Sequence, residues 1–355
     1  MPNPHPVAFA VPGDLSSPTG GYGYNRNLLA ALRAAGHDVR HVALPGGFPF
    51  PDAQTMAQAI DLLSAVSPDR VLIVDGLAFG ALDTAAIDRV PAPLVALVHH
   101  PLAHESNLPD STRKRLQALE CDNLTRAAHV LVPSPHIAQV LVADYGVASD
   151  RLTVIRPGRP ETNFTPGTAL PKAAPPLILS VGILHPRKGH DVLIAALARL
   201  AELDWRAVIV GSPWEPGHDA QLLHQIEASN LAGRVELAGR VDQPALDRLY
   251  RQAHVFALAT RYEGYGIVFD EALIHGLPIV STTAGAVPGT VPRAAGTLVP
   301  PDDDAAMADG LRALLTDPDA HARKSRAATR AGQALPGWDD AAAQVGAILD
   351  RIARA

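Results

Sequence analysis

Short apolar runs alternate with longer amphipathic stretches along nearly all of this chain. Residues 7–11 read as a strand, followed by a glycine-rich turn and a helix over 24–35 that Gly36 stops. Further strands are predicted at 39–44, 71–74, 94–98, 130–132 and 153–155, with helical segments such as 113–121 between them. The strands are apolar at successive positions, so both faces are buried, as in a parallel sheet covered by helices on either side. The pattern fails over residues 156–176, where proline is too dense for a helix or a central strand. That stretch reads as a linker. The alternation then restarts at 177–181, 207–210, 235–237, 255–258 and 278–280.

The repeated pattern predicts two doubly wound α/β domains in tandem, residues 1–165 and 166–338. A last helix over residues 339–355 follows the Pro336-Gly337-Trp338 break and is placed back on the N-terminal domain. Sheets of this class bind ligands beyond the carboxyl ends of their strands, and two such domains facing each other would enclose a cleft.

Composition narrows the function. The chain has 355 residues, enough for two cores, and 47% of them are hydrophobic, which excludes disorder. Its net charge is -6, and residues 1–160 carry 12 basic against 14 acidic side chains. Neither half is a basic module, so nucleic acid is not an expected partner. The single cysteine, Cys121, excludes an intrachain disulfide and reads as a small buried residue. The apolar runs are too short to span a membrane, and no secretory signal is visible. A cytoplasmic protein with at most peripheral membrane association is expected.

Three segments carry candidate chemistry. Gly20-Gly21-Tyr22-Gly23 lies between the first strand and helix. It reads either as an ordinary turn or as a place where backbone amides approach a diphosphate. Gly182 to Gly189 occupies the equivalent place in the second domain and carries Arg187 and Lys188. The chain has only four lysines, so Lys188 beside an arginine suits a compact phosphate-binding charge, or else a solvated pair. The third segment, Glu263 to Glu271, places one carboxylate in a loop and another about one turn into a helix, with Gly264 and Gly266 at the helix start. Free amides there can receive an anion between two carboxylates.

Together with Ala34-Ala35-Gly36-His37-Asp38-Val39, Val132-Pro133-Ser134, Ile155-Arg156-Pro157-Gly158, Gly239-Arg240-Val241 and the tail 272–280, these segments resemble the retaining glycosyltransferases of family 4, essentially end to end. The resemblance implies the GT-B fold, two Rossmann-like domains facing each other across a cleft. It implies metal-independent transfer of a hexose-type sugar from a UDP- or GDP-linked donor to a hydroxyl acceptor, with retained configuration and no cofactor, and a role in cell-surface glycan biosynthesis. Lys188 would stabilise the diphosphate with Arg187 beside it, and Gly20 and Gly21 would cap it. Glu271 would hold the ribose. Glu263 and the amides of Gly264, Tyr265, Gly266 and Ile267 would hold the sugar and phosphate. Val241 would lie near the base, and His99 would contact the transferred sugar. The family often has arginine where this chain has Ile183, which removes one phosphate-clamping charge.

Other features have plainer readings. Adjacent His99 and His100 point in opposite directions from an extended segment and do not share a metal. Asp302-Asp303-Asp304 precedes a helix over 305–315, where acids complement the helix dipole. Arg113-Lys114-Arg115 reads as a solvated helix face, with contact to anionic lipid or an acidic acceptor as the alternative. The competing functions are epimerisation or hydrolysis of a nucleotide-sugar on the same fold, or a binding protein without turnover. Acceptor recognition is expected in loops 19–27 and 100–109.

Overall fold

The computed structural model describes residues 5–17, 19–105, 108–160, 172–214 and 216–354. The chain forms two compact units, residues 1–158 with 336–355, and residues 159–335. The expected boundary at 165/166 lies outside the described residues, and the second break falls between Leu335 and Pro336.

Each unit is built on a six-stranded sheet in which every pairing is parallel. The first contains β1 (Val7–Pro12), β2 (Val39–Leu44), β3 (Val71–Asp75), β4 (Leu94–Leu97), β5 (His129–Val132) and β6 (Leu152–Val154). Their order is β2-β1-β3-β4-β5-β6. The second contains β7 (Leu177–Val181), β8 (Arg206–Val210), β9 (Val235–Gly239), β10 (Val255–Leu258), β11 (Ile279–Thr282) and β12 (Gly296–Val299). Its order, read from β9, is β9-β8-β7-β10-β11-β12. That is the 3-2-1-4-5-6 order of a Rossmann fold.

The second sheet shows why its strands are apolar throughout. Ile178, Ala207, Ile209, Val255 and Ala257 face one core, shared with Leu193 and Leu197 of the helix His190–Ala198. Leu177, Leu179, Val208, Val210, Phe256 and Leu258 face the other, shared with Phe269 and Leu273 of the helix Ile267–Ile274. Alternate residues therefore enter opposite cores.

Two elements differ from expectation. The first helix is Gly20–Ala34, so the glycines form its first turn and not a loop before it. The strand β12 was not expected from its Gly-Thr-Leu-Val sequence. It sits at the sheet edge with Thr297 and Leu298 only half-buried, so it lacks the continuous apolar signature.

The C-terminal helix Trp338–Ile352 completes the first unit's core. Its Ala341, Ala342, Val345, Ile348 and Leu349 join Val7, Phe9, Leu28 and Val71 in one cluster. The Trp338 ring meets Tyr24 edge-on at 5.3 Å, and the Tyr24 hydroxyl donates to the Ile155 carbonyl (2.9 Å). Among the described residues no helix is long and apolar enough to cross a membrane.

The helix is thus a structural part of its unit. Leu349, fully buried, is expected to cost about 2–5 kcal/mol when replaced by alanine, through lost burial and a residual cavity. Chemical denaturation measures this, and a loss below about 1 kcal/mol would show that the helix packs loosely.

Candidate functional site

In the second sheet the chain leaves β7 toward one face and β10 toward the other, so a crevice opens beyond the carboxyl ends of these neighbours. The segment after β7 makes a tight turn, Pro186–Lys188. His185 caps it by accepting from the Arg187 amide (3.0 Å), and Gly189 ends it at φ +65°. A Cβ at Gly189 would lie 1.9 Å from the Ala259 carbonyl oxygen, so only glycine lets this turn lie against the end of β10.

Lys188 and Glu263 meet at the crevice. The Lys188 ammonium donates to Glu263 Oε1 at 2.5 Å, and the two side chains are only 12% and 6% exposed. Burial pushes the Glu263 carboxyl up, but the Lys188 and Arg187 cations outweigh it and hold the group below its ordinary value. Arg187 donates to the Tyr262 carbonyl (3.1 Å), while its Nε is buried without a partner. Glu263 thus offsets one of the two neighbouring cations, Arg187 and Lys188.

Arg261 secures the same turn from β10's side. Its guanidinium pairs with both Asp191 oxygens (3.0 and 2.7 Å), with Asp302 (2.7 Å) and with the Pro186 carbonyl (2.5 Å). The sequence reading missed Arg261, because neither its neighbours nor its spacing marks it. Its partner Asp302 therefore has a role outside the acidic run. Asp303 caps the helix Asp304–Thr316 through the Ala306 amide, and Asp304 pairs with Arg199. Among the described residues no three His, Cys, Asp or Glu side chains could hold a metal ion.

Gly266, at φ +89°, caps the helix Ile267–Ile274 with no side-chain bond, leaving the Ile267 and Val268 amides free of backbone partners. These amides and the helix dipole offer an anion site at the crevice. The Tyr265 side chain turns inward, its hydroxyl donating to Asp270 (2.7 Å), and its carbonyl accepts from the Thr290 hydroxyl (2.8 Å). Glu271, half-buried on the same helix, accepts from the Tyr250 hydroxyl (2.7 Å); burial raises its pKa and that bond opposes the rise. Tyr250 stacks on His275 at 5.0 Å, and His275 is held by Asp247 (3.1 Å). Val241, just past β9, is half-buried against the core that holds Tyr250. The loop of Gly264 and the half-buried Ile183 complete the surroundings.

The first unit carries its own polar cluster. His99, just past β4, places Nε2 3.0 Å from Asn25 Oδ1 and 3.4 Å from Asp75 Oδ2. Asn25 also donates to Asp75 (2.6 Å), and Asp75 accepts from the Leu77 amide (2.8 Å). Burial works against the Asp75 charge, but bonds from His99, Asn25 and Leu77 prevail and lower its pKa. Asn25 and Asp75 escaped the sequence reading, since they lie 50 residues apart. The first helix passes over the imidazole at Gly21, where a methyl group would touch Cδ2 at 3.4 Å. Gly20 is exposed at the helix start, and the N-cap Thr19 makes no side-chain bond. His100 points elsewhere and pairs with Glu105 at 2.5 Å.

Behind this segment lies Glu120, fully buried in the helix Asp110–Leu124. One oxygen accepts from the Leu102 amide (3.0 Å), and the other is buried without a partner. Burial raises its pKa to about 8. Arg113 binds the Ala103 carbonyl (2.5 Å), while Lys114 and Arg115 are exposed. Ser106 and Asn107, within the expected acceptor loop, lie outside the described residues. Cys121 is half-buried, not buried as expected, because it faces the edge of this helix near the Asp144 carbonyl.

Comparison with known proteins places this geometry. Residues 20–161 match the family model described as Glycosyltransferase Family 4, and residues 167–331 match Glycosyl transferases group 1. The D-inositol 3-phosphate glycosyltransferase of Xylanimonas cellulosilytica is 32% identical over 289 residues, covering 76% of this chain and 68% of the relative. Other relatives of the same description are spanned over 50% to 65% of their length. The sucrose-phosphate synthase structure from Thermosynechococcus elongatus superposes with a TM-score of 0.81 at 21% identity, covering 98% of this chain and 99% of that one. The Anabaena protein HepE, in complex with UDP and glucose, superposes with a TM-score of 0.75 at 18% identity, covering 98% and 100%. The chain belongs to glycosyltransferase family 4 and is a transferase with two Rossmann-like domains.

Glu120 gives the first unit a pH dependence. An acid whose pKa is raised on folding stabilises the fold fully below its unfolded value near 4.5, and loses that contribution as pH rises through about 8. Relative to Glu120→Gln, the wild-type protein is expected to lose up to about 1.4 kcal/mol for each pH unit across that window. Denaturant unfolding at successive pH values reads the difference, and parallel profiles would assign no proton uptake to Glu120.

Proposed function

We propose that this family 4 chain is a retaining, metal-independent glycosyltransferase that moves a hexose-type sugar from a nucleoside-diphosphate donor to a hydroxyl acceptor. The observation that carries the reading is the Lys188–Glu263 pair beside the free amides of Ile267 and Val268, at the switch point of a Rossmann sheet. Preorganised charge of this kind suits a leaving group that gains negative charge as it departs. Binding of UDP and glucose by HepE, a protein of the same fold, supports a nucleotide-sugar as the donor.

In this reading Lys188 and Arg187 stabilise the departing diphosphate, and the amides from Gly264 to Ile267 hold phosphate and sugar. Glu263 holds Lys188 in place and turns to the sugar hydroxyls once phosphate engages the ammonium. Glu271, oriented by Tyr250, takes the ribose, with Val241 beside the base. Gly20 and Gly21 offer amides to the diphosphate. His99, oriented by Asn25 and Asp75, meets the transferred sugar. The acceptor oxygen bonds to the anomeric carbon on the face the diphosphate leaves. The breaking bond's electron pair goes to the phosphate oxygen, which takes the acceptor's proton.

A thermal-shift panel of nucleotide-sugars identifies the donor, because a bound ligand raises apparent stability. Glu271→Ala is expected to abolish the shift given by the cognate donor. Lys188→Ala is expected to lower transfer by about 10²–10³-fold. Its thermal midpoint is read alongside, since Glu263 is left buried without its cation. Near-normal transfer by both variants would overturn the site. Free sugar or an isomer formed from donor without acceptor would redirect the reading to hydrolysis or epimerisation.

A further inference from the structure

A groove of about 470 Å3 opens on the second unit between the helix Pro318–Gln333 and the segment before β12. Five cations line it: Arg293, Arg323, Lys324, Arg326 and Arg330. The remaining lining residues are alanines, and none is acidic. Arg323, Arg326 and Arg330 recur at three- and four-residue spacing, so they share one helix face. Alanines at 320 and 327 keep that face low enough to leave room among the charges.

These charges are not consumed within the fold. Lys324 donates to the Gly296 carbonyl (2.7 Å). Burial lowers its pKa, and the neighbouring Arg323 lowers it further. The side chains of the four arginines are exposed and make no ion pair or hydrogen bond among the described residues. By contrast Arg70, Arg126, Arg199, Arg261 and Arg312 each meet a carboxylate. The chain has 36 acidic against 30 basic side chains, so carboxylates are in excess elsewhere. Like charges at these helix spacings repel one another, and an anion would relieve that repulsion.

We propose that this groove binds a phosphate-bearing polyanion, at a site separate from the Arg187–Lys188 turn. Arginine forks suit phosphate oxygens, and several phosphates are needed to engage several of them. Two sources share this chemistry: a soluble polyphosphorylated molecule and the headgroups of an anionic lipid surface. The helix is anchored on its opposite side, where Ser325 donates to the Gly276 carbonyl (2.7 Å), so the groove is carried by a fixed element.

The full chain and the variant Arg323→Ala/Arg326→Ala/Arg330→Ala distinguish the possibilities. Calorimetric titration with tripolyphosphate reads the soluble source. Cosedimentation with phosphatidylcholine vesicles, with and without phosphatidylglycerol, reads the lipid source. Binding at the Arg187–Lys188 turn is retained by both proteins, so the quantity compared is the second binding event, which only the wild-type groove supplies. The variant is expected to bind about a hundredfold more weakly, at roughly fivefold for each charge removed. Loss of tripolyphosphate binding assigns a soluble polyanion, and loss confined to phosphatidylglycerol vesicles assigns a lipid headgroup. A second variant with glutamine at the same three positions repeats both assays, in case alanine alters the thermal midpoint. Equal binding in both assays by wild type and variants, or no binding by wild type, would overturn the proposal.

Discussion

The polar chemistry of the second unit depends on a reversal in its sheet. β7 and β10 are hydrogen-bonded neighbours, yet their following helices, His190–Ala198 and Ile267–Ile274, pack in opposite cores. Their outgoing segments must therefore separate, and the gap between them cannot be filled by either helix. Lys188 comes from one segment and Glu263 from the other, and their ion pair spans that gap. A buried pair of this kind has little claim as net stabilisation, because desolvation offsets its attraction. Its clearer consequence is position. Each charge holds the other at the crevice, and Arg261 fixes the turn that carries Lys188 through the Pro186 carbonyl and through two bonds to Asp191 just beyond it.

The first unit meets the same topological condition with different residues. The order β2-β1-β3 puts its reversal between β1 and β3, and the cluster of Asn25, Asp75 and His99 forms there. An amide, a carboxylate and an imidazole replace the two cations and carboxylate of the second unit. The same topology thus gathers an ammonium–carboxylate pair at one reversal and an imidazole–amide–carboxylate cluster at the other. Which chemistry arises depends on a few side chains at strand ends, while the apolar strands behind them are interchangeable in kind.

Much of this was legible in the sequence because burial on both faces leaves an unmistakable mark. Runs such as Val71–Asp75 and Leu177–Val181 are apolar at nearly every position, and proline in residues 156–176 interrupts them. β12 escaped because an edge strand needs only part of its surface covered. The glycines at 20 and 21 misled for a related reason. Glycine favours a turn, but an amphipathic face set by Tyr24, Leu28 and Leu32 carries the helix back through them. Lys188, Glu263 and Glu271 could be singled out because they stand in short segments beside strand ends. Arg261, Tyr250, Asn25 and Asp75 could not. Their significance lies in contacts across the fold, and no local spacing records a contact between residues 21 or 50 positions apart.

The opposing charges at Lys188 bear on selectivity for anions. Without Glu263, burial would disfavour the ammonium, and the turn would hold its charge less firmly. With Glu263 present, Lys188 is already paired, so an anion that is to engage it must displace a carboxylate. A group with two or more negative charges can engage Arg187, Lys188 and the amides at Gly266 together, and it gains more than Glu263 loses. In the proposed function, such a pair favours a multiply charged group over a singly charged one. In a chain of net charge -6, attraction for such a group has to come from local cations and amides and not from the net charge.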